Sequence, residues 1–230
     1  MIDRINKYPG QKKINGVFQA IINEIPKCTD FYEVFCGSAQ LSKIIMSICP
    51  DIKIHLNDLD SAVIDKYSFP SAVCTNLHSL ELLSVIEKND YEGSIMFIDP
   101  PYQHCSRIGN EKLYTFEMSD QDHIDFFNYV SSSKIKMIII HPKNCIYDKL
   151  INLGWRYKEI KIRYHNKTSI ERIYCNYAVP VELMTYKYIG INFTDRQRIK
   201  RKCERFSKKL QLLPVIEREA IINHLIKTFK

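Results

Sequence analysis

Apolar positions along the first two-thirds of the chain alternate between helical and strand-like periods. Residues 12–25 place Ile14, Val17, Phe18, Ile21, Ile22 and Ile25 at helical spacing, and Pro26 supplies the stop. A strand follows at 31–36 (FYEVFC), then a Gly-Ser turn and a helix over 39–48 with Leu41, Ile44, Ile45 and Ile48 on one side. IKIHLND (52–58) reads as a second strand, 60–68 and 78–88 as helices, and SIMFID (94–99) as a strand buried on both faces. Ser119 caps a helix running to about residue 131, with Asp120 and Asp122 in its first turn, and KMIII (136–140) is another buried strand. Strands alternating with helices predict an α/β fold around a mostly parallel, doubly wound, Rossmann-like sheet. After Trp155 the pattern changes. RYKEIKIRY (156–164) and ERIYCNY (171–177) flank the polar turn HNKTSI, which predicts an antiparallel hairpin at one edge of the sheet. From Thr194 the chain is helical again, with Ile199, Cys203, Phe206, Leu210 and Leu213 at alternating spacings of four and three. Pro214 breaks that helix, and a second runs over 215–228. The chain thus divides into a catalytic-type domain, 1–193, and a helical C-terminal extension, 194–230.

Charge adds a partner to this picture. The net charge is +7, and residues 194–230 carry 11 Lys/Arg against 4 Asp/Glu, whereas residues 1–193 carry 22 of each. The whole basic excess sits in the extension, which points to a polyanion such as nucleic acid. No apolar run approaches a membrane span and MIDRINKYPG lacks a signal-peptide core, so a cytoplasmic location is expected. The eight cysteines form no CxxC or Cys/His cluster and read as free thiols in a reducing compartment, with no metal site.

Asp99-Pro100-Pro101-Tyr102 carries the strongest chemical signal, because it directly follows the buried strand SIMFI, and open α/β sheets bind ligands outside the carboxyl ends of their strands. An adenine amino nitrogen is conjugated into its ring and is a poor nucleophile, so an acceptor must polarise its N–H bonds. The Asp99 carboxylate and the Pro100 carbonyl can accept those two hydrogens, the prolines fix the backbone, and Tyr102 offers a face on which an extruded base can stack. The plainer alternative is a Pro-Pro turn with a satisfied aspartate. Glu33-Val34-Phe35-Cys36-Gly37-Ser38-Ala39 spans the first strand-to-helix turn, where Gly37 permits close approach of a ligand to the backbone. Asp58, within Asn57-Asp58-Leu59-Asp60, lies 21 residues after Gly37, near the spacing at which an acidic residue takes ribose hydroxyls. With no further glycines in the turn, a nucleoside-type cofactor fits better than a dinucleotide.

These motifs and their order resemble the Dam-like, phage-type adenine-specific DNA methyltransferases over nearly the whole chain. The N-terminal cofactor motif is matched by Tyr8-Pro9-Gly10-Gln11-Lys12, the FxGxG turn by Phe35 to Ala39, the ribose aspartate by Asp58, and the catalytic tetrapeptide by Asp99 to Tyr102. Further echoes are YTFEMS (114–119), Ile146-Tyr147-Asp148 and the basic TDRQRIKRK. The resemblance implies S-adenosylmethionine as cofactor, held near Tyr8, Pro9, Gly10, Lys12, Glu33, Phe35, Cys36, Gly37, Ser38, Asp58, Leu59 and Asp99. It also implies base flipping and direct in-line methyl transfer to adenine in double-stranded DNA. No Pro-Cys motif of the kind used for cytosine-carbon methylation is present. The chain departs from the pattern at Gln11 and at Ala39, where glycines are usual, changes expected to narrow the cofactor pocket. His141-Pro142 replaces an expected small-residue turn, and only 38 residues separate Asp60 from Asp99, which leaves no room for a target-recognition insert. Sequence-specific reading then comes from elsewhere, from a homodimer mate or a partner subunit, or is weak.

The expected DNA contacts are Arg107 and Lys112 in the loop 103–114, Lys167 in the hairpin turn, and Arg196, Arg198, Arg201, Lys202 and Arg205 in the extension. The plainer readings are a surface loop and a solvated amphipathic helix. The rival functions are methylation of adenine in RNA or of the cytosine amino group, and a non-catalytic nucleic-acid-binding protein that retains the fold.

Overall fold

The computed structural model describes residues 16–66, 71–89, 91–107, 112–164 and 167–229, with the backbone alone at 163, 164, 167 and 168. The chain divides into two compact units, Met1–Tyr186 and Lys187–Lys230. In the first unit, the described elements run α1 (Val17–Ile22), β1 (Asp30–Glu33), α2 (Gln40–Ile48), β2 (Lys53–Asn57), α3 (Ser61–Lys66), β3 (Ala72–Thr75), α4 (Ser79–Lys88), β4 (Ser94–Ile98), α5 (Asp120–Ser132), β5 (Lys136–Pro142), α6 (Lys149–Asn152), β6 (Arg156–Tyr164) and β7 (Lys167–Cys175). One seven-stranded sheet results, in the order β3-β2-β1-β4-β5-β7-β6. β1 to β5 pair in parallel, while β7 lies antiparallel to both β5 and β6. The fold is therefore the Rossmann-like α/β class expected, mostly parallel with an antiparallel edge hairpin.

Burial follows from strand position. β4 lies fourth of seven, and all five of its residues are buried, because helices cover both faces of a parallel sheet. Met96 and Ile98 of β4 join Met137 and Ile139 of β5 in one cluster with Leu82, Leu83 and Ile86 of α4 and Phe126 and Val130 of α5. The alternate residues Ile95, Phe97, Ile138 and Ile140 are equally buried on the other face. α5 begins where Ser119 predicts, with a full capping box: the Asp122 amide donates to Ser119 Oγ and the Ser119 amide donates to Asp122 Oδ2 at 2.7 Å.

Three elements differ from the sequence reading. β3 is not apparent in the chain because it is four residues long and only partly buried, so its pattern shows no alternation. α6 is a single turn, shorter than any periodicity can reveal. β7 begins at Lys167, four residues earlier than the apolar run, because its first residues pair with β6 from Tyr164↔Lys167 onward.

The carboxyl ends of the first three sheet positions are tied by one side chain. Asn57 is 2% exposed and uses its amide completely. Its Nδ2 donates to the carbonyls of Val34 (3.1 Å) and Leu77 (3.0 Å), and its Oδ1 accepts from Thr75 Oγ1 (2.8 Å) and the Leu77 amide (3.0 Å). Asn57→Leu keeps the volume but orphans these buried partners, at about 1–3 kcal/mol for each unsatisfied group. The expected outcome is a loss of at least about 3 kcal/mol in urea-unfolding stability with an unchanged m-value.

In the second unit, α7 (Phe193–Gln211) and α8 (Val215–Phe229) are separated at Pro214, as expected. Asn192 caps α7 by accepting the Asp195 amide at 2.9 Å. Neither helix has a buried residue, and Phe206 of the apolar seam is 59% exposed. No described helix is long and apolar enough to cross a membrane.

Candidate active site

A cavity of about 290 Å³ opens at the carboxyl ends of β1, β2 and β4. Of the residues singled out in the sequence, Glu33, Phe35, Cys36, Gly37, Ser38, Asp58, Leu59, Asp99 and Pro101 line it. Pro100 and Tyr102 do not line it, and Tyr8, Pro9, Gly10 and Lys12 lie outside the described residues.

The turn after β1 is shaped by backbone conformation. Gly37 (φ 47°) and Ala39 (φ 50°) both occupy the left-handed region, and Ala39 is the only non-glycine among the described residues to do so. Ala39 is fully buried and does not line the cavity, so its methyl group does not narrow the pocket as expected. It bears the conformational cost of a position suited to glycine. Glu33, 5% exposed, accepts from the Ser42 amide at 3.2 Å and from the Ser42 hydroxyl, so it also satisfies an orphan donor in the first turn of α2.

Asp58 holds this turn against the neighbouring one. Its Oδ2 accepts the Gly37 amide at 2.9 Å and its Oδ1 accepts the Asp60 amide at 3.0 Å. Burial raises its pKa above the ordinary aspartate value, and these backbone donors oppose that rise. Each oxygen retains a lone pair for a ligand hydroxyl. The cavity lining contains six carboxylates, Glu33, Asp58, Asp60, Asp99, Glu117 and Asp122, and among the described residues no Lys or Arg. Asp60 and Asp122 were legible in the sequence only as parts of an acidic motif and a helix cap. Phe18, which also lines the cavity, is indistinguishable there from the other apolar residues of its helix.

Arg107 requires a correction. It is not free to meet a phosphate, because its side chain is 3% exposed and forms a two-pronged ion pair with Glu117, one arm at 3.0 Å and the other Nη2 to Oε2. Its Nε also donates to the Tyr102 carbonyl at 2.6 Å, and Glu117 accepts the amides of Leu113 (2.8 Å) and Tyr114 (3.0 Å). The Arg107 guanidinium holds the Glu117 carboxyl down at about 2. Glu117 sits ten residues on, across a loop, and no periodicity marks such a pair. Lys112 is exposed, while the side chain of Lys167 lies outside the described residues.

No protein-family model matches the chain, and no curated protein matches it. Solved structures do. The chain is similar to TrmK of M. capricolum in complex with the natural cofactor product S-adenosyl-homocysteine, at 12% identity over 93% of this chain and 95% of that one, with a TM-score of 0.45. It is similar to human methyltransferase-like protein 13 in complex with the same compound, at 11% identity over 80% and 84%, TM-score 0.46. A third is an uncharacterized protein of Listeria monocytogenes serotype 4b, at 12% identity over 94% and 96%, TM-score 0.47.

Behind the cavity, the Asp99–Tyr102 segment is backed by polar side chains. Gln103, 3% exposed, donates to Asp120 Oδ1 at 2.7 Å and accepts from Asn144 Nδ2, which also reaches Ser106 Oγ at 2.9 Å. His123 of α5 is fully buried, with Nδ1 2.9 Å from the Tyr147 hydroxyl. Burial depresses its pKa from 6.5 to about 4, against the opposing pull of Asp120 and Asp122. The unfolded chain therefore binds a proton that the folded one refuses, and this contribution is complete above pH 6.5 and lost as pH falls toward 4. Replacing both partners (His123→Phe with Tyr147→Phe) removes the titration without orphaning either group. The fall in stability between pH 7.5 and 4.5, measured by denaturant titration, should be smaller in the double variant by about 2–3 kcal/mol.

Proposed function

We propose that this chain is an S-adenosylmethionine-dependent methyltransferase that transfers the methyl group to the exocyclic amino group of adenine in DNA. The observation that carries the reading is the acid-lined cavity ending on Asp99. Six carboxylates and no described Lys or Arg repel a phosphate-bearing cofactor and favour a cationic one with hydroxyl groups, which describes a sulfonium nucleoside. Asp58 takes the ribose hydroxyls, and the Gly37 turn gives the cofactor close access to backbone. Phe35, Cys36, Ser38 and Leu59 complete the wall, and Glu33 contributes charge from beneath α2. Tyr8, Pro9, Gly10 and Lys12 belong to the same cofactor site through the family resemblance. At the substrate side, the Asp99 carboxylate and Pro100 carbonyl accept the two amino hydrogens. When bound, S-adenosylmethionine would supply the methyl group from its sulfonium and be left as the neutral thioether, and the Asp99 carboxylate would take the proton that the amino nitrogen gives up. Pro101 fixes the turn, and Tyr102 stacks on the extruded base.

Asp99→Ala should lower transfer of a tritiated methyl group to DNA by at least about a hundredfold, the scale of losing a preorganised polar stabiliser. Affinity for S-adenosylmethionine, read by calorimetry, should change only a few-fold. Activity within threefold of the parent would remove Asp99 from the site, and transfer to RNA but not DNA would reassign the substrate.

The basic extension supplies duplex affinity in this reading. Arg198, Arg201, Arg205 and Lys208 line one groove of α7 together with Glu204, with Arg196 and Lys202 nearby in sequence, and Arg198 pairs with the partly buried Asp195 at 2.8 Å. Phosphate contacts set affinity and its salt dependence but not base preference. Neutralising Arg198, Arg201, Lys202 and Arg205 together should weaken DNA binding and flatten its salt slope by up to about four, in fluorescence anisotropy at several salt concentrations. An unchanged slope would remove α7 from the DNA surface.

A further inference from the structure

We propose that His141 is a positioning residue for Tyr102, and through that ring for the base stacked on it. The inference rests on the function proposed above. Tyr102 follows two prolines on a loop, and its carbonyl accepts from Arg107 Nε at 2.6 Å. What meets the ring is His141, at the end of β5, with centroids 4.9 Å apart and planes at 64°. This is the edge-to-face geometry that aromatic rings prefer.

The imidazole is itself fixed from two sides. It is fully buried, and its Nδ1 lies 2.8 Å from the Pro142 carbonyl, so that nitrogen carries the proton and the ring cannot flip without losing the bond. Beneath it the Tyr147 ring lies 4.6 Å away, tilted by 36°, and the Tyr147 hydroxyl is held in turn by His123. Residues from β5, the segment before α6, and α5 thus form a buried stack whose top is Tyr102. A leucine would fill the position of His141 without the cost of desolvating a polar ring. The His141 ring also meets His123 and Tyr147, and its contact with Tyr102 links that stack to the Asp99–Tyr102 segment. Preorganising a stacking face matters because base–aromatic stacking contributes about 1–3 kcal/mol, which a freely turning ring gives back as entropy.

The test compares His141→Phe with His141→Leu in the full-length protein. Both lose the bond to Pro142 and both stay apolar, but only phenylalanine keeps an aromatic edge for Tyr102. Methyl transfer to unmethylated plasmid DNA is measured, with S-adenosylmethionine affinity by calorimetry and melting temperature as checks. His141→Leu should lower kcat about tenfold, His141→Phe should retain most of it, and cofactor affinity should stay within twofold for both. In a Tyr102→Ala background, His141→Leu should have no further effect on kcat. Should His141→Leu fail to fold, His141→Met carries the same comparison. Equal impairment of the two variants, or losses that multiply with Tyr102→Ala, would overturn the role of His141 while leaving the proposed function standing. Absence of any transfer by the parent chain defeats the proposed function and this inference with it.

Discussion

Everything at the candidate site depends on keeping the strand ends apart yet immobile, and Asn57 imposes that constraint. Parallel strands leave their last carbonyls and amides without ladder partners where the chain turns away. A buried amide with two donors and one two-pronged acceptor can serve four polar groups at once, and Asn57 does so for the Val34 and Leu77 carbonyls, the Leu77 amide and the Thr75 hydroxyl. Asn57 also lines the cavity, where its amide is fully hydrogen-bonded. A neutral amide suits the task better than a carboxylate, since no charge is added under a cavity already rich in acids.

Asp58 is the next link. Its carboxylate accepts the Gly37 and Asp60 amides, so the turn after β1 and the segment after β2 are one hydrogen-bonded unit. On the opposite wall, Glu117 is compensated by Arg107, and the pair gathers the Tyr102 carbonyl and the Leu113 and Tyr114 amides. Of the six carboxylates in the lining, Glu117 is compensated within the protein by Arg107. A buried pair of this kind is costly to break from one side only.

The sheet was legible where periodicity is strong. β4 and β5 announce themselves as unbroken apolar runs, and the start of α5 is written in Ser119 and Asp122. β3 and α6 were hidden because an element of four residues carries only two repeats of a strand's alternation or barely one turn of a helix. In the site, Asp99, Asp58 and Gly37 stood out because their chemistry is tied to a strand end. Arg107 was misread because exposure is a tertiary property: an arginine in a polar loop looks solvated until its carboxylate partner is known. His141 appeared in the chain only as a departure from an expected turn, and its reason became visible with the rings above and below it.

The position of the hairpin has a consequence for how the protein behaves in a crowded solution. Inserting β7 between β5 and β6 makes β6 the outer strand on that side, a row of nine residues with backbone groups facing outward. Such a row is a template on which another chain can add a strand. β6 carries Arg156, Lys158, Glu159 and Lys161 in close succession, and the other border, β3, is only four residues long. Charge on one border and brevity on the other make recruitment of a foreign strand unfavourable. The sheet is thereby protected at both borders against edge-to-edge polymerisation.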